Sequence, residues 1–598
     1  MAEKYPDRPL LIFDGACSFC RAWVEYWKEL TGDRVLYAPY QEIGDRFPAI
    51  AQSEFAAAVH LILADGEKFT GAHAVFRLIA LLPGRGSWLR LYEHVPGVAP
   101  VSEAAYRVIA QHRSFAYQVT KTLWGIPVVP ETFNYASWIF IRLLGVIYLI
   151  AFLSFGVQAR GLIGSHGISP VADYLRAARD YFASARFWNV PTLLWLNSSD
   201  GMLRAIWVAG SFLALLQFGG LNWRWIRVAA FILYLSLVAA GQQFMGYQWD
   251  ALLLEAGFLA IFLGSSPLII KLFRWLLFRL VFLSGAVKLL SHDPLWRSFS
   301  ALPVHYETQP LPTPMAWHFY QLPAWFQHAS VGFVFSVELV VPFFILAPRR
   351  LRVPAAFAIA LLQILIALTG NYAFFNLLTL TLCLFLLDDH FLRHFSPGRV
   401  FAHAFETRSG KSWVRQVCVA VYVVVLLVSG FEMAATFSGV HWKPADKIMS
   451  ALGPFEIVNT YGLFAVMTTT RPEIIVQGSN DGSNWLSYEF KYKPGELDRR
   501  PPWVAPHQPR LDWQMWFAAL GDYHSDPWIL HFMARLLEGS PDVLHLLERN
   551  PFPNAPPRYL RALVYQYNFT TPEERKLSGN WWRRELRGEY VPVISLQR

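Results

Sequence analysis

The chain has 598 residues, of which 54% are hydrophobic and only 16% charged, and its mean hydropathy is +0.29. That composition excludes an ordinary soluble globular protein and points to a polytopic membrane protein of more than one domain. A net charge of +9 does not make it a nucleic-acid binder, because the basic residues cluster beside apolar runs, where positive-inside bias accounts for them. Aromatic residues reach 16%, with 24 Trp, which suits interfacial belts. Four cysteines, Cys17, Cys20, Cys383 and Cys418, give no disulfide framework; the last two lie in apolar runs and read as buried, inert thiols.

The chain opens polar through Arg8, and its first apolar run is only LLIF, so no secretory signal is read there. PLLIF at 9–13 predicts a buried strand, Asp14-Gly15 a sharp turn, and RAWVEYWKEL after Cys17-Ser-Phe-Cys20 a helix. Strand, turn, CxxC and helix in that order put Cys17 near a helix N-terminus, where backbone N–H groups favour thiolate over thiol. Strands at 34–38 and 59–63, a hairpin at 64–67 and a helix at 72–82 complete a small thioredoxin-like α/β unit. The alternatives for CxxC are a zinc half-site or two idle thiols, and no second CxxC or close His pair completes a zinc site. Neither metal nor cofactor is expected. DGACSFC, with YAPYQ, TGAHAVFRLIALLPG and YRVIAQHR, resembles the DCC family of thiol–disulfide oxidoreductases over about residues 8–120. That resemblance implies catalytic roles for Cys17 and Cys20, with Asp14 beside them. No proline precedes 59–63, where thioredoxin-type enzymes place a cis-proline against the dithiol.

Beyond Ser137 nine apolar spans are predicted, near 137–156, 203–220, 226–241, 250–269, 273–290, 329–347, 353–369, 372–387 and 416–436. With the N-terminus cytoplasmic, the basic residues of 222–227, Lys271 with Arg274, and the tracts 348–352 and 393–415 fall on one side, and everything after 437 lies outside. The stretch 281–310 stands out. An apolar helix ends there on Lys288 and passes into a loop rich in Pro, Trp and His, carrying Asp293, His305, Tyr306 and Glu307. Glu255 sits inside an apolar run that follows Asp250. Counted from a turn near 266–271 at 1.5 Å per residue, Glu255 lies ~22 Å and Lys288 ~27 Å away, so the two are expected to pair; a lone, snorkelling Lys288 is the alternative. Glu338, Asn371 and Asn376 also interrupt apolar helices.

The runs GYQWDALLLEAGFLAIFL, VHYETQPLPTPMAWHFYQLPAWF, VELVVPFFIL, GNYAFFNLLTLTLCLFLLDD and, further on, RPEIIVQGSNDGSNW and KYKPGELDRRPPWVAPHQPRLDWQMWFAAL resemble the lipase maturation factor family over about residues 135–580. The resemblance implies a polytopic, chaperone-like factor that lets certain secreted lipases fold and assemble. SGAVKLL followed by Asp293 and Trp296 is more distantly similar to the vitamin-K-dependent carboxylase group, in which a lysine at the position of Lys288 would act as a base.

After 437 the composition turns polar. Strands are predicted at 473–478 and 485–492 around the hairpin signal SNDG, an extended segment at 501–509, a helix with Trp513, Trp516 and Phe517 at helical spacing, and helices from 527 to 548 that close the domain. His507, Arg510 and Asp512 are expected to face the His305–Glu307 loop. No nucleotide loop, HExxH or GxSxG is present. The expected architecture is thus a thioredoxin-like domain (1–125), a helical membrane domain (126–436) and a C-terminal domain that is β-rich and then helical (437–598). The leading expectation is protein maturation at a membrane. Its partners would be membrane lipid, a lipase-like secreted client and a thiol redox partner. The alternative is a membrane enzyme with Lys288 as general base. A deep lined cavity at Lys288 would favour the enzyme, and a solid helical core with an apolar outer surface the chaperone.

Overall fold

The computed structural model describes residues 6–82, 85–395 and 412–596. It divides into two compact units, Met1–Thr132 with Ala347–Pro354 and Phe133–Leu346 with Ala355–Arg598.

In the first unit the strands β1 (Leu10–Phe13), β2 (Leu36–Pro39), β3 (His60–Ile62) and β4 (Lys68–Thr70) form one sheet in the order β2-β1-β3-β4. β1 and β2 are parallel, and β3 runs antiparallel to both β1 and β4. LLIF buries all four of its side chains because both faces of the sheet are covered. Leu11 and Phe13 pack with Val24, Leu61 and Leu78 on one face, Leu10 and Ile12 with Phe47, Phe55 and Ile62 on the other. This is the period-two alternation of a strand with a layer on each side. The helix α1 (Ser18–Thr31) follows the turn, and α2 (Arg113–Leu123) packs against it.

The second unit joins the apolar helices to the C-terminal part. Among the described residues, five helices are long and apolar enough to cross a membrane: Asn134–Gly156, Asp200–Gly219, Ala324–Ile345, Arg349–Thr369 and Trp413–Ser438. The other four expected spans fall on the helices Arg224–Ala240, α3 (Gln248–Ile261), α4 (Pro267–Leu290) and Phe375–Leu382. Three of these are shorter than the ~20 residues a perpendicular crossing needs. The fourth, α4, is 24 residues long but carries Lys271, Arg274, Arg279 and Lys288. Part of the expected basic tract 393–415 lies outside the described residues.

The expected end of the C-terminal part is corrected. The stretch from 527 to 548 forms helices Trp528–Leu537 and Pro541–Leu544, but two further strands close the domain, Tyr559–Phe569 and Trp582–Ile594. They pair with each other and, through the first, with Pro472–Ser479 in an antiparallel sheet. Their alternation is hard to see in sequence because the first strand buries Gln566 while the second exposes a charged run, Arg583 to Arg587, between its buried Trp582 and Tyr590. The connection between them also carries a helical signal, the capping box of Pro572–Ser578.

One apolar core runs through this unit without a break. It includes Phe140, Leu252 and Leu276 from the membrane part together with Ile474, Leu511, Trp513, Leu560 and Val591 from the C-terminal part. Phe212, Trp325, Phe343 and Phe357 face outward, each more than half exposed, as expected of helices whose outer surface meets lipid.

Candidate functional site

The dithiol sits where β1 gives way to α1. Cys17 is the N-cap of that helix and its Sγ accepts the Cys20 N–H at 3.3 Å. Cys20 lies one turn inside the helix, and burial, followed by its hydrogen bond to Cys17, pushes its thiol up to about 12. Asp14 does not touch a sulfur through a hydrogen bond. Its Oδ1 accepts from Ala16 N at 3.0 Å and from Gln41 Nε2 at 2.8 Å, while its Oδ2 takes Arg113 at 3.2 Å. Arg113 also donates to the carbonyls of Ala56 (2.6 Å) and Ala57 (2.8 Å), in the segment just ahead of β3. A side chain from α2 therefore pins the segment in which sequence reasoning noted a missing proline. Arg113 and Gln41 lie within the quoted runs YRVIAQHR and YAPYQ, but only their long-range partners distinguish them from surface polar residues. Gly15 is required for close approach, since a Cβ there would lie 2.7 Å from Pro39 Cβ.

In the second unit, Asp250, Glu255 and Glu338 of the apolar helices each have a basic partner, and two expected groupings are overturned. Glu255 does not pair with Lys288. Its partner is Arg279, also on α4, and both side chains are sealed from solvent at 0% and 1% exposure. Glu255 Oε2 further accepts from Asn459 N at 3.0 Å and Tyr461 OH at 2.8 Å, and Arg279 donates to Asn459 O at 2.8 Å. Lys288 instead meets Glu338 at 2.6 Å and donates to Ser284 O at 3.1 Å. Counting depth along two helices ignored which face each residue occupies, and passed over Arg279, hidden among apolar neighbours in FRLVFL. Glu338 reaches the lysine from a single π-helical stretch, Ser336–Val340, a local widening common at functional positions. The helices approach closely here: a Cβ on Gly285 would lie 2.7 Å from Glu338 Cβ.

His507, Arg510 and Asp512 do not converge on the His305–Glu307 loop. They begin the helix α5 (Arg510–Ala519) or precede it, and each is claimed by another partner. Arg510 makes a two-pronged ion pair with Asp250, NH1 to Oδ2 and NH2 to Oδ1 at 2.9 Å each, and donates to Phe244 O at 2.6 Å. Tyr234 donates to the same carboxylate. Asp512 accepts from the backbone of Tyr492 and Lys493 at 2.8 Å each, and His507 Nδ1 lies 3.0 Å from Ser154 Oγ. The expected loop is itself corrected, since His305, Tyr306 and Glu307 lie on the helix Ala301–Thr308, where Glu307 accepts from Phe569 N at 2.7 Å and Asn568 at 3.2 Å, and His305 Nε2 meets Tyr372 OH at 2.9 Å. Asp293 caps the short helix Pro294–Arg297 with one oxygen and accepts from Met467 N at 2.9 Å with the other. Arg471, which opens the run RPEIIVQGSNDGSNW but is not among the expected site residues, donates to the carbonyls of Glu307 (2.7 Å) and Pro310 (2.9 Å).

Lys288, Glu338, His305 and Tyr306 line a cavity of about 520 Å³. Of the two arrangements expected to separate chaperone from enzyme, the cavity is present, but its lysine is ion-paired. A general base needs a free lone pair within reach of its proton, whereas Nζ here donates to a carboxylate and a carbonyl.

The family models that match are the Lipase maturation factor transmembrane domain over residues 135–394, the Lipase maturation factor C-terminal domain over 457–592, and the DCC1-like thiol-disulfide oxidoreductase over 11–118. Similar proteins include Lipase maturation factor 2 of Xenopus tropicalis, 35% identical across 76% of this chain and 81% of the relative. Lipase maturation factor 2 of Homo sapiens is 35% identical across 77% and 82%, and Lipase maturation factor 1 of Bos taurus 34% across 78% and 90%. No solved structure matches.

The Asp250–Arg510 pair carries a direct expectation. Arg510→Met leaves a carboxylate buried without its cation and should cost ~3–5 kcal/mol, while the double variant Asp250→Asn, Arg510→Met should recover much of that loss. Chemical denaturation of the detergent-solubilised protein reads both. Equal stability of single variant and parent would contradict the assignment.

Proposed function

The chain belongs to the lipase maturation factor family, and from that premise we propose that it is a membrane-embedded maturation factor for secreted lipase-like clients, carrying its own dithiol oxidoreductase. It is an integral membrane protein with a DCC1-like thiol-disulfide oxidoreductase domain at its N-terminal end. The observation that carries the reading is the extent of the likeness, which runs through both the membrane part and the C-terminal part. Those parts form one compact unit with a main core shared between them, so the client-handling surface would belong to the unit as a whole. The use of Lys288 as a base is not favoured.

The finer reading has nine crossings, four of them by the shorter or more charged helices. It also has a cytoplasmic N-terminus, an extracytoplasmic C-terminal part, and domains over 1–125, 126–436 and 437–598. The order β2-β1-β3-β4 with one parallel and two antiparallel pairings supports a thioredoxin-like first domain. Within it Cys17 attacks and Cys20 resolves. The Cys17 thiolate attacks one sulfur of a partner disulfide and expels the other as thiolate. The Cys20 thiolate then attacks the Cys17 sulfur and releases the second thiol, so the dithiol is oxidised and the partner reduced by two electrons. In this orientation dithiol and C-terminal part face different compartments, so the partner of Cys17 is a protein on the cytoplasmic side, and a client folding outside exchanges electrons only through a relay.

Removal of the chain from its host should leave the client lipase synthesised but with much lower activity per mole secreted. Unchanged specific activity across the secreted lipases would contradict maturation. For the dithiol, alkylation at about pH 8 should modify Cys17 and spare Cys20, whose labelling climbs only as the pH approaches the thiol's raised value of about 12. Peptide mapping by mass spectrometry distinguishes the two, and equal labelling at neutral pH would reverse or remove the assigned roles.

A further inference from the structure

The cavity beside Lys288 has a composition that neither maturation nor the dithiol uses. Its volume, about 520 Å³, lies within the ~300–1,000 Å³ of small-molecule sites. Most of its wall is apolar, with Leu280, Phe319, Phe326, Phe333, Leu365 and Ile366. The polar lining includes the Lys288–Glu338 pair, His305 with Tyr372, and Gln363, Thr369 and Thr379. Two of the helices that form the wall, Ala324–Ile345 and Arg349–Thr369, are candidate membrane spans with most of their surface outside the protein core. Trp325 and Leu361, both on the lining, are 70% and 48% exposed. Part of the lining therefore reaches the exposed outer surface of these helices.

The polar groups define the head that fits. An ammonium has three N–H donors, and Lys288 directs two of them to Glu338 and Ser284, which leaves a third for a ligand oxygen. The charge of Lys288 is balanced by Glu338 at 2.6 Å. Burial and the Lys288 ammonium push the His305 imidazole down to about 3, so it stays neutral. A carboxylate entering here would bring an uncompensated negative charge next to Glu338 in a water-poor site. Taking ~30 Å³, a water's share of liquid volume, for each CH₂-sized atom, the cavity takes on the order of 20 of them, the size of one acyl chain with a small head.

We propose that this cavity binds an uncharged single-chain lipid amphiphile of the monoacylglycerol class, with the acyl chain along the apolar wall and a hydroxyl or ester oxygen accepting from Lys288. The inference does not depend on the maturation reading and stands or falls separately from it.

The full chain in phosphatidylcholine nanodiscs, irradiated with a diazirine-bearing monomyristoylglycerol and mapped by peptide mass spectrometry, tests it. Label is expected on the peptides that contain Phe326, Phe333 and Leu365. Excess unlabelled monomyristoylglycerol should displace it, and excess myristate at neutral pH should not. Ala329→Phe, which pushes a ring into the lining, should lower the labelling about tenfold. Label spread over outward residues such as Phe343 and Phe357, with no displacement, would overturn the site. Displacement by myristate as effective as by monomyristoylglycerol would overturn the uncharged head. Should the Ala329→Phe protein not fold, displacement on the unaltered chain decides by itself.

Discussion

Arg510 holds a guanidinium where water does not reach, and the pairing that makes this tolerable sets the terms for the whole second unit. Both Arg510 and Asp250 are 0% exposed. Each would cost several kcal/mol if left alone there, and their attraction offsets that cost only when the geometry is good and the remaining donors and acceptors are filled. Here the fork of the guanidinium meets both carboxylate oxygens, Tyr234 donates to the carboxylate, and Phe244 supplies a carbonyl. Asp250 lies in an apolar helix and Arg510 begins a helix of the C-terminal part 260 residues later. Neither helix can settle without the other.

The same dependence recurs along the boundary between the two parts. Glu255 takes the backbone and side chain of Asn459 and the hydroxyl of Tyr461, Asp293 takes the backbone of Met467, and Arg471 returns the relation by donating to the carbonyls of the 307–310 segment. Acids that looked like functional groups because they interrupt apolar helices are, in most cases, anchors for the segment after 456. The Lys288–Glu338 pair differs. Both members belong to the apolar helices, no group from the C-terminal part is bonded to either side chain among the described residues, and the pair lines a cavity. That contrast separates pairs that tie the C-terminal part to the apolar helices from a pair that joins two apolar helices beside a cavity.

Much of this was legible in the sequence, and the rest failed for definable reasons. LLIF, Asp14-Gly15 and the CxxC at a helix start were readable because each is a local rule, and the hairpin at 64–67 likewise follows from neighbouring residues alone. The family runs were readable because they are long. The partner of Glu255 was not, since helix depth is a one-dimensional count while pairing depends on which face each side chain occupies; Arg279 was concealed by the apolar residues around it. The partners of Arg510 and Arg113 lie 260 and 99 residues away, beyond any spacing rule. Of the strands after 558, the second has a charged run from Arg583 to Arg587 that mimics a loop, and the first is set apart from its partners by a helical connection; the π stretch at Glu338 leaves no mark in composition.

If the second unit is one fold bound together by buried pairs, residues 437–598 should not stand alone. Hydrogen–deuterium exchange on that segment produced by itself, set beside the full chain, is the direct measurement. The account predicts that the strands Pro472–Ser479 and Tyr559–Phe569 and the helix from Arg510, all slow to exchange in the full chain, lose their protection in the isolated segment. Native-like protection in the isolated segment would show that the C-terminal part folds without the membrane helices, and would contradict it.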